Sequence, residues 1–183
     1  MSDHYDVAVI GSGPGGYSAA IRSAQLGKSV ICIEKCGIDQ TPILGGTCLN
    51  VGCIPSKALL DSSYEFHKVL NQASTHGIKI NDISLDINQM LTRKEKVVKD
   101  LTKGVSGLFK LNRVKSFKGF AKIKKDLCIE ITDEHGTLTE ISAENVILAT
   151  GSRPIELDFV PTDQRKIITS KEALNLDQVP NEL

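Results

Sequence analysis

The chain has 183 residues, no tryptophan and balanced charge, with 22 Lys and Arg against 22 Asp and Glu. That length suits one good-sized domain, alone or with an appended piece, and neutrality offers no support for binding to nucleic acid or a membrane surface. No apolar run approaches membrane-spanning length, and the N-terminus enters an apolar stretch without a basic start or cleavage signal, so a cytoplasmic protein is expected.

Tyr5 to Ile10 reads as a buried parallel strand, β-branched and uncharged after Asp6. Gly11 to Gly16 makes a tight turn, Tyr17 to Leu26 a helix ended by Gly27, and Ser29 to Glu34 a second strand, which completes a βαβ unit over residues 5–34. The turn fits G-x-G-x-x-G through Gly11, Gly13 and Gly16, with Ser12 and Pro14 between. In such a turn the first glycine allows the bend, the second lets pyrophosphate approach the backbone, and the third lets helix pack on strand. Exposed amides at the helix N-terminus then neutralise the phosphates. Glu34 ends the second strand, where a carboxylate can accept hydrogen bonds from both ribose hydroxyls and would repel a 2′-phosphate. The motif fits FAD and NAD alike.

A loop from Cys36 to Leu44 leads into a helix expected from about Thr47 to Ala73, with distortion at Pro55. The segment Gly45-Gly46-Thr47-Cys48-Leu49-Asn50-Val51-Gly52-Cys53-Ile54-Pro55-Ser56-Lys57 places two cysteines five residues apart. In a straight helix their Cα atoms would lie about 8 to 9 Å apart, whereas a disulfide tolerates at most about 7 Å. The pair can therefore close only if the helix is irregular between them, and Gly52 and Pro55 supply the means. A bridge formed under that constraint is reducible, which suits catalysis better than stapling. The helix N-terminus favours thiolate, and Lys57, one turn beyond Cys53, can add positive charge for a thiolate or a reduced flavin. Metal binding is the rival chemistry, but it needs two further ligands, and no second Cys/His pair with suitable spacing is present. In a reducing compartment the five cysteines read as a redox pair plus bystanders, with Cys32 and Cys128 as small core hydrophobes and Cys36 exposed at a strand end.

Further on, Asp86 to Leu111 reads as a mostly polar helix. Val114 to Lys124, Asp126 to Asp133 and Leu138 to Ser142 read as short antiparallel strands, and Glu144 to Gly151 as another buried strand. The lysine-rich stretch Lys94 to Lys125 reads as a solvated face, and the tail as loop. Small residues at Ala149-Thr150-Gly151 permit close approach to a bound dinucleotide and, with the nearby cysteines, lean the first cradle towards FAD.

With these residues in view, the chain resembles the FAD-binding N-terminal part of the pyridine nucleotide-disulfide oxidoreductases, nearest their lipoamide-directed branch. Gly45 to Leu60, G-G-T-C-L-N-V-G-C-I-P-S-K-A-L-L, carries the likeness, where glutathione and mercuric reductases more often have valine for Leu49 and Ile54. The resemblance implies an α/β, Rossmann-like FAD-binding domain, a parallel sheet with helices plus a small antiparallel β-meander, of which residues 1–183 are the N-terminal part. The NAD and dimer-interface domains are absent from these residues, so the chain is expected to be catalytically incomplete. It also implies that Cys53 is the thiol nearest the flavin and Cys48 the one that exchanges with the lipoyl dithiol, with Lys57 near flavin N5. The implied FAD contacts are Gly11, Ser12, Gly13, Pro14, Gly16, Glu34, Lys35, Gly46, Thr47, Lys57, Gly119, Ala121, Ala149, Thr150 and Gly151. The implied reaction is oxidation of protein-bound dihydrolipoamide with FAD and NAD, the partners being lipoyl domains of 2-oxoacid dehydrogenase complexes, in a homodimer. A related glutathione or mercuric reductase, or a non-catalytic flavin-binding module, are the alternatives. The Cys36–Leu44 loop is longer than in many relatives. His4, His67, His76 and His135 match no catalytic position and are expected at the surface.

Overall fold

The structure, a computed structural model, describes residues 3–35, 37–38 and 41–182, with backbone only at 37–38 and 41–42. Two compact units are present, Met1–Leu49 with Leu101–Arg153 and Asn50–Asp100 with Pro154–Leu183. Cys36, expected at an exposed strand end, lies outside the described residues.

In the first unit, strand β1 (Asp3–Ile10) ends in four consecutive buried residues. Helix α1 (Pro14–Gln25) opens with proline in its first turn, where no amide donor is needed and φ is already helical. The helix stops in a Schellman turn at Gly27 (φ +83°), where the Gly27 and Lys28 amides donate to the carbonyls of Ala24 at 2.9 Å and Ser23 at 3.2 Å. Strand β2 (Val30–Glu34), buried throughout, runs parallel to β1 with Val7 opposite Val30. Asp6 secures the start of this pair by accepting from the Ser29 amide at 2.6 Å and hydroxyl at 2.8 Å, bonds that hold its carboxyl below its ordinary value. Two short strands, β3 (Gly37–Ile38) and β4 (Thr41–Pro42), then pair antiparallel.

Strands β5 (Lys115–Lys118), β6 (Phe120–Ile123), β7 (Cys128–Thr132) and β8 (Leu138–Leu148) complete a six-stranded sheet in the order β5-β2-β1-β8-β7-β6. Here two expectations are corrected. The expected strand Val114–Lys124 is divided at Gly119: β5 pairs parallel with β2, and only β6 joins the antiparallel edge. A side chain at 119 would place its Cβ 2.5 Å from Ile131 Cγ2, so the chain crosses β7 closely there. The expected strands Leu138–Ser142 and Glu144–Gly151 are one strand, β8. It pairs antiparallel with β7 over Leu138–Ser142 and parallel with β1 from Ile141 to Leu148. No glycine or proline interrupts it, and Ile141 and Ala143 keep one alternating face buried. The antiparallel strands β6, β7 and β8 form the expected small meander, which extends the main sheet at one edge. Tyr5, Ala8, Ile10, Ile31, Ile33, Ile129, Ile131, Ile141 and Ala143 form one core across β2, β1, β8 and β7. Cys32 and Val9 are buried on the alternate positions, as parallel strands covered on both faces require. Cys128, expected in the core, is only half-buried at the start of β7.

The single helix expected from Thr47 to Ala73 is two, α2 (Gly46–Val51) and α3 (Cys53–Gln72), broken at Gly52 (φ −141°, ψ −113°). Pro55 is not the point of distortion. It sits in the first turn of α3, where its missing amide costs no intrahelical bond. Helix α4 (Ile87–Leu111) follows, and in the second unit Arg93 joins it to α3 by donating to the Ala58 carbonyl at 2.8 Å and Asp61 Oδ2 at 2.6 Å. The tail expected as loop contains α5 (Ser170–Ala173), opened by a capping box between Thr169 and Glu172. No helix among the described residues is long and apolar enough to cross a membrane.

Two lysines depart from the expected solvated face. Lys118 is buried and pairs with Glu134 at 2.5 Å. Lys94 is 4% exposed, and its ammonium donates to the Leu174 carbonyl at 2.9 Å and to Asn175 Oδ1 at 2.7 Å. Lys94→Met should leave both acceptors without their donor and lower unfolding free energy by about 3 kcal/mol, read as a lower urea midpoint with new proteolytic cuts in residues 154–183. An unchanged midpoint and digestion pattern would show that Lys94 does not hold this segment.

Candidate functional site

The Gly-rich turn sits where β1, β2 and β8 end together. The Gly11 amide donates to the Ile33 carbonyl at 2.8 Å, and the Ala149 amide donates to the Ile10 carbonyl, also at 2.8 Å. Gly11 adopts φ +98°, and a Cβ there would collide with the Ala149 carbonyl. A Cβ at Gly16 would collide in turn with the Gly11 carbonyl. The second glycine pair packs on the first: a Cβ at Gly46 would fall 2.6 Å from Gly13 Cα, and the Gly45 amide donates to the Ser12 carbonyl at 2.9 Å. Gly45 was not among the expected site residues, although its place in the Gly-Gly pair was a usable signal.

The N-terminus of α1 fits a pyrophosphate. It has no side-chain cap and no acidic residue in its first turn, and a Cβ at Gly15 would meet nothing within 4 Å. The helix therefore presents amides and a positive dipole end with no carboxylate in its first turn. Glu34 is buried beside this turn, and its Oε2 accepts from the Ser12 amide at 2.9 Å and the Ser12 hydroxyl at 2.7 Å. Its main-chain carbonyl accepts from the Gly119 amide at 2.9 Å. The Ser12 hydroxyl's part in this was missed from sequence, where no local pattern links positions 12 and 34.

The structure thus brings Gly11, Ser12, Gly13, Gly16, Glu34, Gly46, Gly119 and Ala149 into one interlocked group within the first unit. Pro14 is exposed at the start of α1. Lys35, Thr47 and Gly151 are exposed, and Ala121 is half-buried in β6 opposite Ile131, all outside this set of bonds and close contacts, whereas the exposed Thr150 has its Cα 3.2 Å from where a Cβ at Gly11 would lie. Cys48 lies half-buried on α2, two residues after Gly46. Cys53 is exposed as the first residue of α3, and Lys57 is exposed one turn further along the same helix. The break at Gly52 removes the straight-helix geometry that would keep the two cysteines apart. Among the described residues no cluster of three His, Cys, Asp or Glu could hold a metal, and all four histidines are exposed.

Cys32 occupies a different environment. Its thiol lies against the Gly11 carbonyl at 3.7 Å, and burial first, the Glu34 charge second, push it from 9.0 up to about 12.

A fold of this kind, with a Gly-rich turn, an acidic strand end and a C-x4-C segment, defines a nucleotide-dependent disulfide oxidoreductase. Residues 5–183 match the pyridine nucleotide-disulphide oxidoreductase family, and the chain belongs to it. Membership implies FAD and NAD as cofactors. The chain is 45% identical over its full length to dihydrolipoyl dehydrogenase, mitochondrial, of Pisum sativum, covering 35% of that protein. It is 46% identical to leghemoglobin reductase of Vigna unguiculata, again over its full length and over 34% of that protein. Identity is 45% to the mitochondrial dihydrolipoyl dehydrogenase of Mus musculus, over 97% of this chain and 34% of that protein. The chain thus spans about a third of the length of these curated relatives. They overturn the cytoplasmic expectation, since the dihydrolipoyl dehydrogenases among them are named mitochondrial. The lack of a leader pattern at residue 1 carries no weight when the matched stretch is so small a part of each relative.

The buried thiol gives an alkaline signature. Unfolded, Cys32 ionises near 9.0, whereas folded it keeps its proton to about 12, so its contribution to stability is complete below pH 9 and declines as pH rises towards 12. Cys32→Ala should therefore flatten the fall of the urea midpoint between pH 9 and 11 relative to the parent chain, whatever its effect at neutral pH. An identical alkaline slope in both proteins would contradict this environment.

Proposed function

We propose that the protein oxidises protein-bound dihydrolipoamide to lipoamide through a Cys48–Cys53 disulfide, with FAD at the Gly11–Gly16 turn and NAD+ as final acceptor. The observation that carries this reading is the packing of Gly46 on Gly13, which seats the start of the dithiol segment against the nucleotide turn two residues before Cys48. Bound FAD would carry two electrons between the dithiol and a nicotinamide.

The turn and the α1 N-terminus hold the pyrophosphate, and Glu34 accepts from the adenosine ribose hydroxyls. Lys35, Gly46, Thr47, Gly119, Ala121 and Ala149–Gly151 supply the remaining contacts. Cys53 takes the flavin side and Cys48 the substrate side. In the substrate half-reaction the lipoyl dithiol loses two electrons and two protons as its own S–S bond forms, and the Cys48–Cys53 bond opens to two thiols. Lys57 places a cation one turn from Cys53. In this reading residues 1–183 are the N-terminal part of the FAD-binding domain, and this chain alone, with a single nucleotide turn, does not turn over lipoamide with NAD+. Lipoyl domains of mitochondrial 2-oxoacid dehydrogenase complexes are the partners, and the working form is a homodimer. Reduction of a haem protein is the second reading, favoured by the 46% identity to a leghemoglobin reductase.

The visible spectrum of the purified chain tests the assignment. Flavin bands are expected, with a long-wavelength shoulder appearing after one equivalent of dithiol. Cys53→Ser should abolish the shoulder, while Cys48→Ser should show it without added dithiol. A shoulder that survives in Cys53→Ser would reverse the roles of the two cysteines, and a chain without flavin bands would refute flavin binding at this turn.

A further inference from the structure

The residue-specific part of Ser12 is its hydroxyl. Any amino acid at this position would donate its amide to Glu34 and accept the Gly45 amide on its carbonyl, because both bonds are main-chain at Ser12. Only a side-chain donor adds the second bond, Oγ to Glu34 Oε2 at 2.7 Å, and Ser12 is fully buried, with no exposed surface to accommodate a larger group. Two donors on one oxygen of a buried carboxylate are charge-assisted and directional, so together they fix the carboxylate plane. The Ser12 amide is also withdrawn from the phosphate cradle. One member of the Gly-rich turn therefore serves the acidic strand end instead of the pyrophosphate.

We propose that Ser12 is a positioning residue whose hydroxyl sets the Glu34 carboxylate for the adenosine ribose hydroxyls of the bound dinucleotide. This rests on the reading of the turn as an FAD site. Ser12 touches no ligand atom in this role and acts through Glu34. Losing the hydroxyl leaves the amide bond and the charge in place but removes one of the two Ser12 donors that orient the carboxylate. The loss is then felt only by a ligand with a ribose hydroxyl for Glu34 to engage. A serine that merely fills space in the turn would weaken every dinucleotide equally.

The test is a binding titration on the full 183-residue chain, by flavin fluorescence, with FAD and with its 2′-deoxyadenosine analogue. The parent chain should prefer FAD. Ser12→Ala should weaken FAD about tenfold, the size of one hydrogen bond to a charged group, and weaken the analogue less than twofold. Equal losses for both ligands would overturn the proposal and leave the FAD reading intact. Binding of neither ligand by the parent chain would overturn the FAD reading and the proposal with it. Ser12→Cys keeps nearly the same volume with a weak donor, and it should lose the preference for FAD in the same way. It supplies the measurement should circular dichroism show Ser12→Ala unfolded, and full retention of the preference in Ser12→Cys would also overturn the proposal.

Discussion

The site depends on backbone meeting backbone with no side chain between. Gly11 lies under the Ala149 carbonyl, Gly16 against Gly11, and Gly46 against Gly13. Each contact is closer than a Cβ allows, and each sits where a strand or helix begins or ends. Together they bring the ends of β1, β2 and β8 to one place and leave the α1 N-terminus open. Hydrophobic burial accounts for the sheet itself, through the isoleucine-rich core across β2, β1, β8 and β7. That core would tolerate many apolar sequences of similar volume. The turn tolerates few substitutions, because its constraint is steric exclusion rather than affinity.

The same closeness creates an electrostatic problem. A buried carboxylate, Glu34, stands next to a turn shaped for anions, and an uncompensated buried charge is costly. The structure offsets this locally, by giving one carboxylate oxygen both donors of Ser12. Both donors come from the turn itself, ahead of the first residue of α1. Gly119 extends the arrangement from the other side, since its amide holds the Glu34 carbonyl while its missing side chain lets the chain pass Ile131. A glycine expected only as an FAD contact thus has a packing reason as well.

What was legible in the sequence was local. The β-branched run before Gly11, the Gly-Pro-Gly-Gly opening of α1 and the stop at Gly27 each depend on residues within one turn of one another. The fate of the later strands depended on partners far along the chain. Leu138–Ser142 carries an antiparallel pattern and Glu144–Leu148 a parallel one, yet both belong to one strand because β7 and β1 flank it at successive heights. Likewise, β5 reads like its hairpin neighbours but pairs with β2, which is 84 positions away in sequence (Ile31 opposite Lys115). The helix break fell between these cases. A discontinuity was required by the cysteine spacing, but its position at Gly52 rather than Pro55 follows from where α3 begins, since a proline in the first turn breaks nothing.

The cysteines show how environment, not residue type, assigns chemistry. Cys32 lies inside β2 beneath the Gly11 carbonyl, where desolvation and the Glu34 charge both oppose ionisation. A thiolate is the nucleophile in disulfide exchange, so burial first, and the Glu34 charge second, hold this position inert. Cys53 is instead exposed, at the start of a twenty-residue helix with Lys57 one turn on. Glu34 therefore has two consequences in one place. It accepts both donors of Ser12, and it adds to the burial that keeps Cys32 protonated. The segment that enters through Gly46 differs in sequence, since no carboxylate precedes Cys48 for eight residues, back to Asp39.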